Sequence, residues 1–267
     1  MKLHIIYFFI LFNYFFANEK KFVFIITSYN NSSWIYKNLD SVFQQNYANY
    51  RVIYVDDCSS DNSLDIIEKY LTEKSIDKDK FIFIKNNIRN YKAYNLSFAV
   101  DICEDDEIIV ILDGDDWLSD SGVLSNLNTI FSENDIYVSY GSYVDLDINL
   151  KSKCPISLGF PKNTNFRKEY GMIPGHPFAA YARLFKLVKK SDLIYQNSFI
   201  KMASDVAFII PICEMAGINK IYFNKRINYI HNRQNPINDH KVDNKFQFKI
   251  NNYIRGKKPY QKVILLE

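Results

Sequence analysis

Three carboxylates crowd the end of one apolar run. Residues 108–112 read Ile-Ile-Val-Ile-Leu, and Asp113-Gly114-Asp115-Asp116-Trp117 follows at once. Like charges this close repel one another, so a cation is expected to share the spot. A hard divalent ion suits oxygen ligands, and Mg²⁺ or Mn²⁺ commonly binds through one or two carboxylates plus substrate phosphates. Gly114 suits a tight turn and lets another group approach the backbone. A second acidic cluster closes the run Arg51-Val52-Ile53-Tyr54-Val55, which passes into Asp56-Asp57-Cys58-Ser59-Ser60-Asp61. Ser60 or Asp61 is placed there to cap a following helix. A lone acid, Asp205, stands at the head of the apolar stretch 206–212. Compensation of the helix dipole, worth about 0.3–1 kcal/mol, is enough to explain an acid in that place.

These acids need a scaffold that brings them together. Apart from Arg51 at its start, the runs 22–26, 51–55 and 108–112 are apolar throughout, the mark of strands buried on both faces of a parallel sheet. The first ends in Thr27-Ser28-Tyr29-Asn30 and precedes a helix with Trp34, Ile35, Leu39, Val42 and Phe43 on one side. The second precedes a helix over about 62–73 carrying Leu64, Ile66, Ile67 and Leu71. Strand, polar turn and helix therefore recur, which predicts an α/β fold whose polar strand ends line one crevice. A helix over about 121–131 then leads to a strand at 136–140. Residues 151–174 contain three Pro and two Gly without periodicity and read as a long loop. A strongly apolar helix follows Ser204, a strand precedes Tyr229, and 241–258 reads as a polar C-terminal helix.

At Ile25-Ile26-Thr27-Ser28-Tyr29-Asn30, Val55-Asp56-Asp57-Cys58-Ser59-Ser60-Asp61 and Leu112-Asp113-Gly114-Asp115-Asp116, the chain resembles the family 2 glycosyltransferases. The order and spacing of all three segments fit that family's nucleotide-binding half. The resemblance implies a GT-A fold: a mostly parallel, Rossmann-like sheet flanked by helices, with a smaller acceptor-side region. It divides the chain into a transferase domain over 18–240 and a helical tail over 241–267. The nucleotide-sugar half would occupy about 20–135 and the acceptor half about 136–240.

The resemblance also distributes roles. Thr27, Tyr29 and Asp57 would hold the nucleoside, and Asn95 would touch the donor. The Arg and Gly that usually accompany this Asn are Tyr94 and Tyr91 here. Within the DXD motif, Asp113 would contact the ribose or the metal, Asp115 would ligate Mn²⁺ or Mg²⁺ directly, and Asp116 would support either. Many members carry a Glu-Asp pair whose Asp is the general base; here that pair is Ser204-Asp205, leaving Asp205 as the carboxylate able to take an acceptor proton. Tyr229-Ile230-His231-Asn232-Arg233 resembles a Tyr-Arg-x-His segment that closes the site, so His231, as metal ligand, or Arg233 would reach the diphosphate. Acceptor contacts are expected from 151–174, from His176 and from Trp117. The Gln-x-x-Arg-Trp motif of processive relatives is absent, which favours transfer of a single sugar, with inversion, to a glycan, lipid-linked or protein acceptor. Two other readings compete. One is a non-catalytic nucleotide-sugar or glycan-binding module. The other is a nucleotidyl- or phosphoryl-transfer enzyme, because Asp113-Gly114-Asp115 also has a likeness to a haloacid dehalogenase nucleophile loop.

Composition narrows the partners. The net charge of +3 across 267 residues is too small for a dedicated polyanion binder, so no nucleic acid is expected. Tyr and Phe number 20 and 21, more than a core alone needs, so some should line a binding surface. Lys2 precedes an apolar stretch over 5–17, about 20 Å if helical and short of the roughly 30 Å hydrocarbon core. A signal peptide ending at Ala17 or a short membrane anchor is the expectation, with a secretory, periplasmic or membrane-associated location and membrane association through the N-terminus. Cys58, Cys103, Cys154 and Cys213 show no Cys-x-x-Cys spacing, so zinc is not expected, and Cys103 and Cys213 should be buried thiols. Asn31-Ser32-Ser33 and Asn95-Leu96-Ser97 match glycosylation acceptors, the first too near the nucleotide loop to be modified.

Overall fold

The computed structural model describes residues 19–146, 152–153, 164–168, 175–237 and 239–265. The N-terminal apolar stretch, Cys154 and most of the 151–174 segment lie outside these residues. Among the described residues no helix is long and apolar enough to cross a membrane.

Three strand–helix units come first: β1 (Phe22–Ser28) and α1 (Ile35–Phe43), β2 (Tyr50–Asp56) and α2 (Ser63–Glu73), β3 (Phe81–Lys85) and α3 (Tyr91–Asp101). The strand β4 (Ile108–Asp113) then joins β1 on its other side, giving the parallel order β3-β2-β1-β4. Register aligns the polar ends as the sequence demands. Thr27 lies opposite Val55 on one side and Asp113 on the other, and Ser28 lies opposite Asp56.

The remaining elements are β5 (Trp117–Leu118), α4 (Val123–Glu133), β6 (Val138–Leu146), β7 (Ser152–Lys153), β8 (Phe178–Tyr181), α5 (Ala182–Lys186), β9 (Ile194–Tyr195), β10 (Ser198–Phe199), α6 (Ser204–Ala216), β11 (Ile221–Asn232), α7 (Asp239–Val242) and α8 (Asn244–Arg255). Here the sheet departs from a parallel pattern. β8 enters antiparallel between β4 and β6, β11 runs parallel to β6, and β5 pairs antiparallel with β11. β5 follows β4 after the three residues 114–116, too few for a parallel crossover, so it must run to a different neighbour. β6 extends well past the expected 136–140. The Tyr229–His231 motif lies inside β11 rather than after it, because β11 continues through two register shifts to Asn232.

Strand alternation sends side chains to two apolar layers. Val23, Ile25, Ile53, Ile109 and Ile111 meet α3, α5, α6 and α8. Phe22, Phe24, Ile26, Val52, Tyr54, Val110 and Leu112 meet α1, α2 and α4. On α2 the deep contacts come from Ile67 and Tyr70, with Leu71 partly covered. α8 is only half polar, since Ile250 and Ile254 are buried. Within the expected 151–174 loop, Arg167 is a fixed point. Its guanidinium contacts both carboxylate oxygens of Glu214 at 2.7 and 2.8 Å and donates to the Ile254 carbonyl at 2.6 Å, joining that segment to α6 and α8. Cys103 and Cys213 are free and buried. Asn31 and Asn95 are also buried, and Asn31 donates its side-chain amide to Ser28 Oγ, so neither acceptor sequence is presented to solvent.

Candidate active site

The turn after β4 is held from three directions. Gly114 donates its amide to the Thr27 carbonyl at 3.0 Å. Asn38 of α1 donates to the carbonyls of Asp113 and Asp116 at 2.9 and 2.7 Å. A Cβ on residue 114 would sit 2.6 Å from Ser28 Cβ and 2.9 Å from Asn31 Nδ2. The glycine is therefore required by the close approach of β1's end, and its backbone is not left-handed.

That turn aims three carboxylates at three environments. Asp116 points inward and accepts from the Tyr229 hydroxyl and the Asn232 amide, both at 2.6 Å. Burial, then the charges of Asp115 and Asp113, push its carboxyl well above the usual carboxylate range. Asp115 accepts from Asn235 Nδ2 at 2.8 Å. Burial and neighbouring Asp113 push it up as well, against the Asn235 bond. Asp113 instead has a cation beside it, 2.5 Å from Lys92 Nζ.

Lys92 is the residue sequence reasoning missed. It stands in the first turn of α3, and its ammonium also lies 2.7 Å from Asp205, in the first turn of α6. One side chain thus bridges the DXD turn and the candidate base. Burial pulls the Lys92 ammonium toward deprotonation, but Asp113 and Asp205 outweigh it and hold the group charged. Burial pushes the Asp205 carboxyl up, and Lys92, then His176, bring it down to a net position below its ordinary value. His176 stacks on the Tyr229 ring, centroids 4.9 Å apart, and burial lowers its pKa. Ligand atoms of Asp113, His176 and Asp205 all lie within 4.8 Å of one another.

The side of the site fed by β1 and β2 is built differently. Asp57 is buried and accepts from Asn86 Nδ2, the Asn90 amide and the Tyr91 amide at 2.9, 2.7 and 2.8 Å. It thereby fixes the start of α3. Tyr91 has a φ of 66°, an unusual conformation for a bulky residue, at the position where the family resemblance anticipated Gly. Asn95 accepts from Asn86 at 2.7 Å, while its own Nδ2 is buried without a partner. The Arg89 guanidinium lies 3.7 Å from the Tyr29 ring centroid and 4.7 Å from that of Tyr91, and Lys201 lies 5.0 Å from Tyr91. Arg89, like Lys92, carries no motif signal; it stands between Ile88 and Asn90 just before a helix start.

On the opposite wall, His231 Nδ1 contacts Asp145 at 2.6 Å, and Arg233 reaches the same carboxylate at 3.4 Å. A cavity of about 250 Å³ lies between these walls, lined by Thr27, Tyr29, Asp57, Asn95, Asp113, Asp115, Asp205 and His231 among others. The cavity lining therefore brings together nine of the twelve residues singled out from the sequence, Asp116 included, and Arg233 is not among them. His176 lies behind Asp113 and Asp205 rather than on the cavity lining. Trp117 is apart from it, nearly buried, stacked against Trp34 at 6.5 Å with Lys37 Nζ 3.7 Å from its ring centroid.

A family model described as Glycosyl transferase family 2 matches residues 23–189. The chain is 31% identical over 119 residues to the UDP-Glc:alpha-D-GlcNAc-diphosphoundecaprenol beta-1,3-glucosyltransferase WfaP of Escherichia coli, a stretch covering 45% of this chain and 44% of that protein. It is 31% identical over 106 residues to a putative teichuronic acid biosynthesis glycosyltransferase, TuaG, of Bacillus subtilis, covering 39% and 40%. The chain spans less than half the length of these curated relatives. Among solved structures, S. aureus TarS residues 1–349 in complex with UDP superimposes with a TM-score of 0.64 at 20% identity, over 86% of this chain and 63% of that one. A mannosyltransferase from Pyrobaculum calidifontis, in complex with GDP-Man and Mn²⁺, gives 0.53 at 16% identity, over 79% and 56%. These likenesses establish the GT-A arrangement of sheet and helices.

Proposed function

The chain belongs to glycosyl transferase family 2, and from that membership we propose that it moves one sugar from a UDP-linked donor to an acceptor hydroxyl, with inversion and with a divalent ion. The observation that carries this reading is a single cavity with Asp113 and Asp115 on one wall and Asp205 on the next. The uridine preference is supported by TarS, solved with UDP and with UDP-GlcNAc, and by the E. coli relative, whose name specifies UDP-Glc.

The residues present suit a metal. Asp115 is a half-buried carboxylate whose pKa is raised first by burial and then by the charge of Asp113, while the Asn235 amide, its own backbone N–H and His231 offset this only in part. Oxygen donors of this kind match a hard divalent cation. Asp113 and Asp115 would hold Mn²⁺ or Mg²⁺, with His231, fixed through Nδ1 by Asp145, on the diphosphate side. The ion, when bound, supplies Lewis-acid neutralisation of charge on the departing diphosphate.

The chain's own groups do the rest. Arg89 over Tyr29 forms a flat, cationic surface suited to a nucleobase. Thr27 and Asn95, with its unpartnered amide, offer polar contacts to the nucleoside and donor. Asp57 shapes that wall by holding the Asn90 and Tyr91 amides in place. Asp205 takes the acceptor proton as the hydroxyl oxygen attacks the anomeric carbon, and a single base with a single displacement gives inversion. The division into a donor half, an acceptor half that includes His176, and a C-terminal tail is part of the same proposal.

Calorimetric titration of UDP, GDP and ADP into the protein, each with and without Mn²⁺, tests it. UDP should bind most tightly and only with the ion present. Equal binding of all three, or Mn²⁺-independent binding of UDP, would overturn the donor and metal assignments.

A further inference from the structure

We propose that Lys92 is a resident counter-cation: its ammonium occupies a divalent-ion ligand set formed by Asp113, His176 and Asp205, and so keeps free metal off Asp205 until the donor is bound. The inference rests on the reading of Asp205 as the base, but its primary test does not need sugar transfer.

Three observations converge on it. Two carboxylates and an imidazole present ligand atoms within 4.8 Å of one another, a mixed nitrogen and oxygen set of the kind that Zn²⁺ or Mn²⁺ takes up. Tetrahedral ligand atoms around an ion bonded at about 2.1 Å stand roughly 3.4 Å apart, so side-chain shifts that draw the three atoms together by about 1 Å close the set. The imidazole is not committed to another group through its Nδ1, which is buried and has no hydrogen-bond partner. The position between the two carboxylates is nevertheless filled, by Lys92 Nζ at 2.5 Å from Asp113 and 2.7 Å from Asp205. A protonated amine donates hydrogen bonds and has no lone pair for a metal, so it satisfies the charge of the set while denying the ion its place.

The arrangement matters because the two carboxylates have opposite tasks. Asp113 belongs to the wall that holds the catalytic ion, whereas Asp205 must keep a lone pair free for a proton. A divalent ion bridging both would convert the base into a ligand. Lys92 supplies a single positive charge there without coordinating either oxygen, and it leaves Asp115, which it does not contact, to the ion that arrives with the diphosphate.

The test compares donor-free ion binding by the wild type and by Lys92→Met, of similar length and without charge, titrated calorimetrically with Mn²⁺ and Zn²⁺. Lys92→Met should gain one site at least tenfold tighter than any site of the wild type, and the added change His176→Ala should abolish that gain. Lys92→Arg, which keeps the charge, should behave as wild type. Should Lys92→Met prove insoluble, Lys92→Gln removes the charge while retaining a donor, and the same gain is expected. Equal ion affinity in wild type and the neutral variant, or a gain that survives His176→Ala, would overturn the proposal. As a functional readout, Zn²⁺ at micromolar concentration should inhibit transfer by the neutral variant at least tenfold more than by wild type. Loss of all transferase activity in the wild type would instead count against the function proposed above and leave the ion titration interpretable.

Discussion

β2 and β4 end in the same way in sequence, an apolar run stopping at paired aspartates, yet the two ends are physically unlike. At the end of β2, Asp56 accepts from the Ser59 amide and hydroxyl at 3.0 and 2.6 Å, and Asp57 accepts from three donors in the segment that starts α3. Those carboxylates are consumed in building loops. At the end of β4, burial holds the Asp115 and Asp116 carboxyls above their ordinary value, helped by Asp113 at Asp115 and by Asp115 and Asp113 at Asp116, and Asp113 shares a lysine with Asp205. There the negative charge exceeds what the chain neutralises. Acid at a strand end is thus one signal with two meanings, and satisfaction of its lone pairs tells them apart.

Mutation can break this contrast. The largest effect is expected at Asp115→Ala, which should abolish Mn²⁺-supported nucleotide binding in calorimetry while leaving the melting temperature of the donor-free protein no lower than wild type. Retained Mn²⁺-dependent affinity would place β4 with β2 as scaffold. Next comes Asp205→Asn, across the Lys92 bridge from β4. Transfer should slow by about 10²-fold or more with donor affinity and thermal stability nearly preserved, the signature of an interaction made in the transition state. A variant that keeps most of its turnover puts the base elsewhere.

Asp57→Ala probes the other strand end. It leaves three donors without their acceptor, so stability in urea should fall by about 1–3 kcal/mol, and nucleotide affinity should fall with it because the α3 start shifts. Asp56→Ala should lower stability without a separate loss of affinity; the reverse pattern would exchange the two roles. The smallest effect sharpens the electrostatic half of the contrast. Asp115 has a folded-state pKa raised above its ordinary value, so between the two values the folded chain binds more protons than the unfolded one, and stability falls as pH rises through that window. Asp115→Asn should remove this slope. It should raise the melting temperature of the donor-free protein at neutral pH and make no difference below the ordinary carboxylate pKa. A variant less stable at neutral pH would show that Asp115 is already compensated.

Much of this was legible in the chain. The strand ends at Thr27, Asp57 and Asp113 could be read because burial on both faces demands unbroken apolar runs, and each run stops where side chains become polar. The antiparallel entry of β8 was not legible, since four residues, Phe-Ala-Ala-Tyr, carry neither alternation nor turn chemistry of their own. Lys92 and Arg89 were missed for a different reason. A lysine in the first turn of a helix looks like any solvated charge, and only the convergence of α3, β4 and α6 makes it a counter-ion. Trp117 misled in the opposite direction. Its place beside the DXD turn suggested an acceptor contact, but the chain reverses there into β5 and carries the indole to Trp34.

β1 and β4 lie at the middle of the sheet, with Val23, Phe24, Ile25, Ile109 and Val110 wholly inaccessible on both faces. Amides in such strands open only when the whole domain does, so their exchange with solvent should report the global unfolding free energy. Thr27 and Asp113 are the last residues of those same ladders and face each other across them. The crevice floor therefore inherits the slowest-opening part of the molecule. The ordering entropy of its carboxylates is met once, at folding, and is not charged again at each turnover.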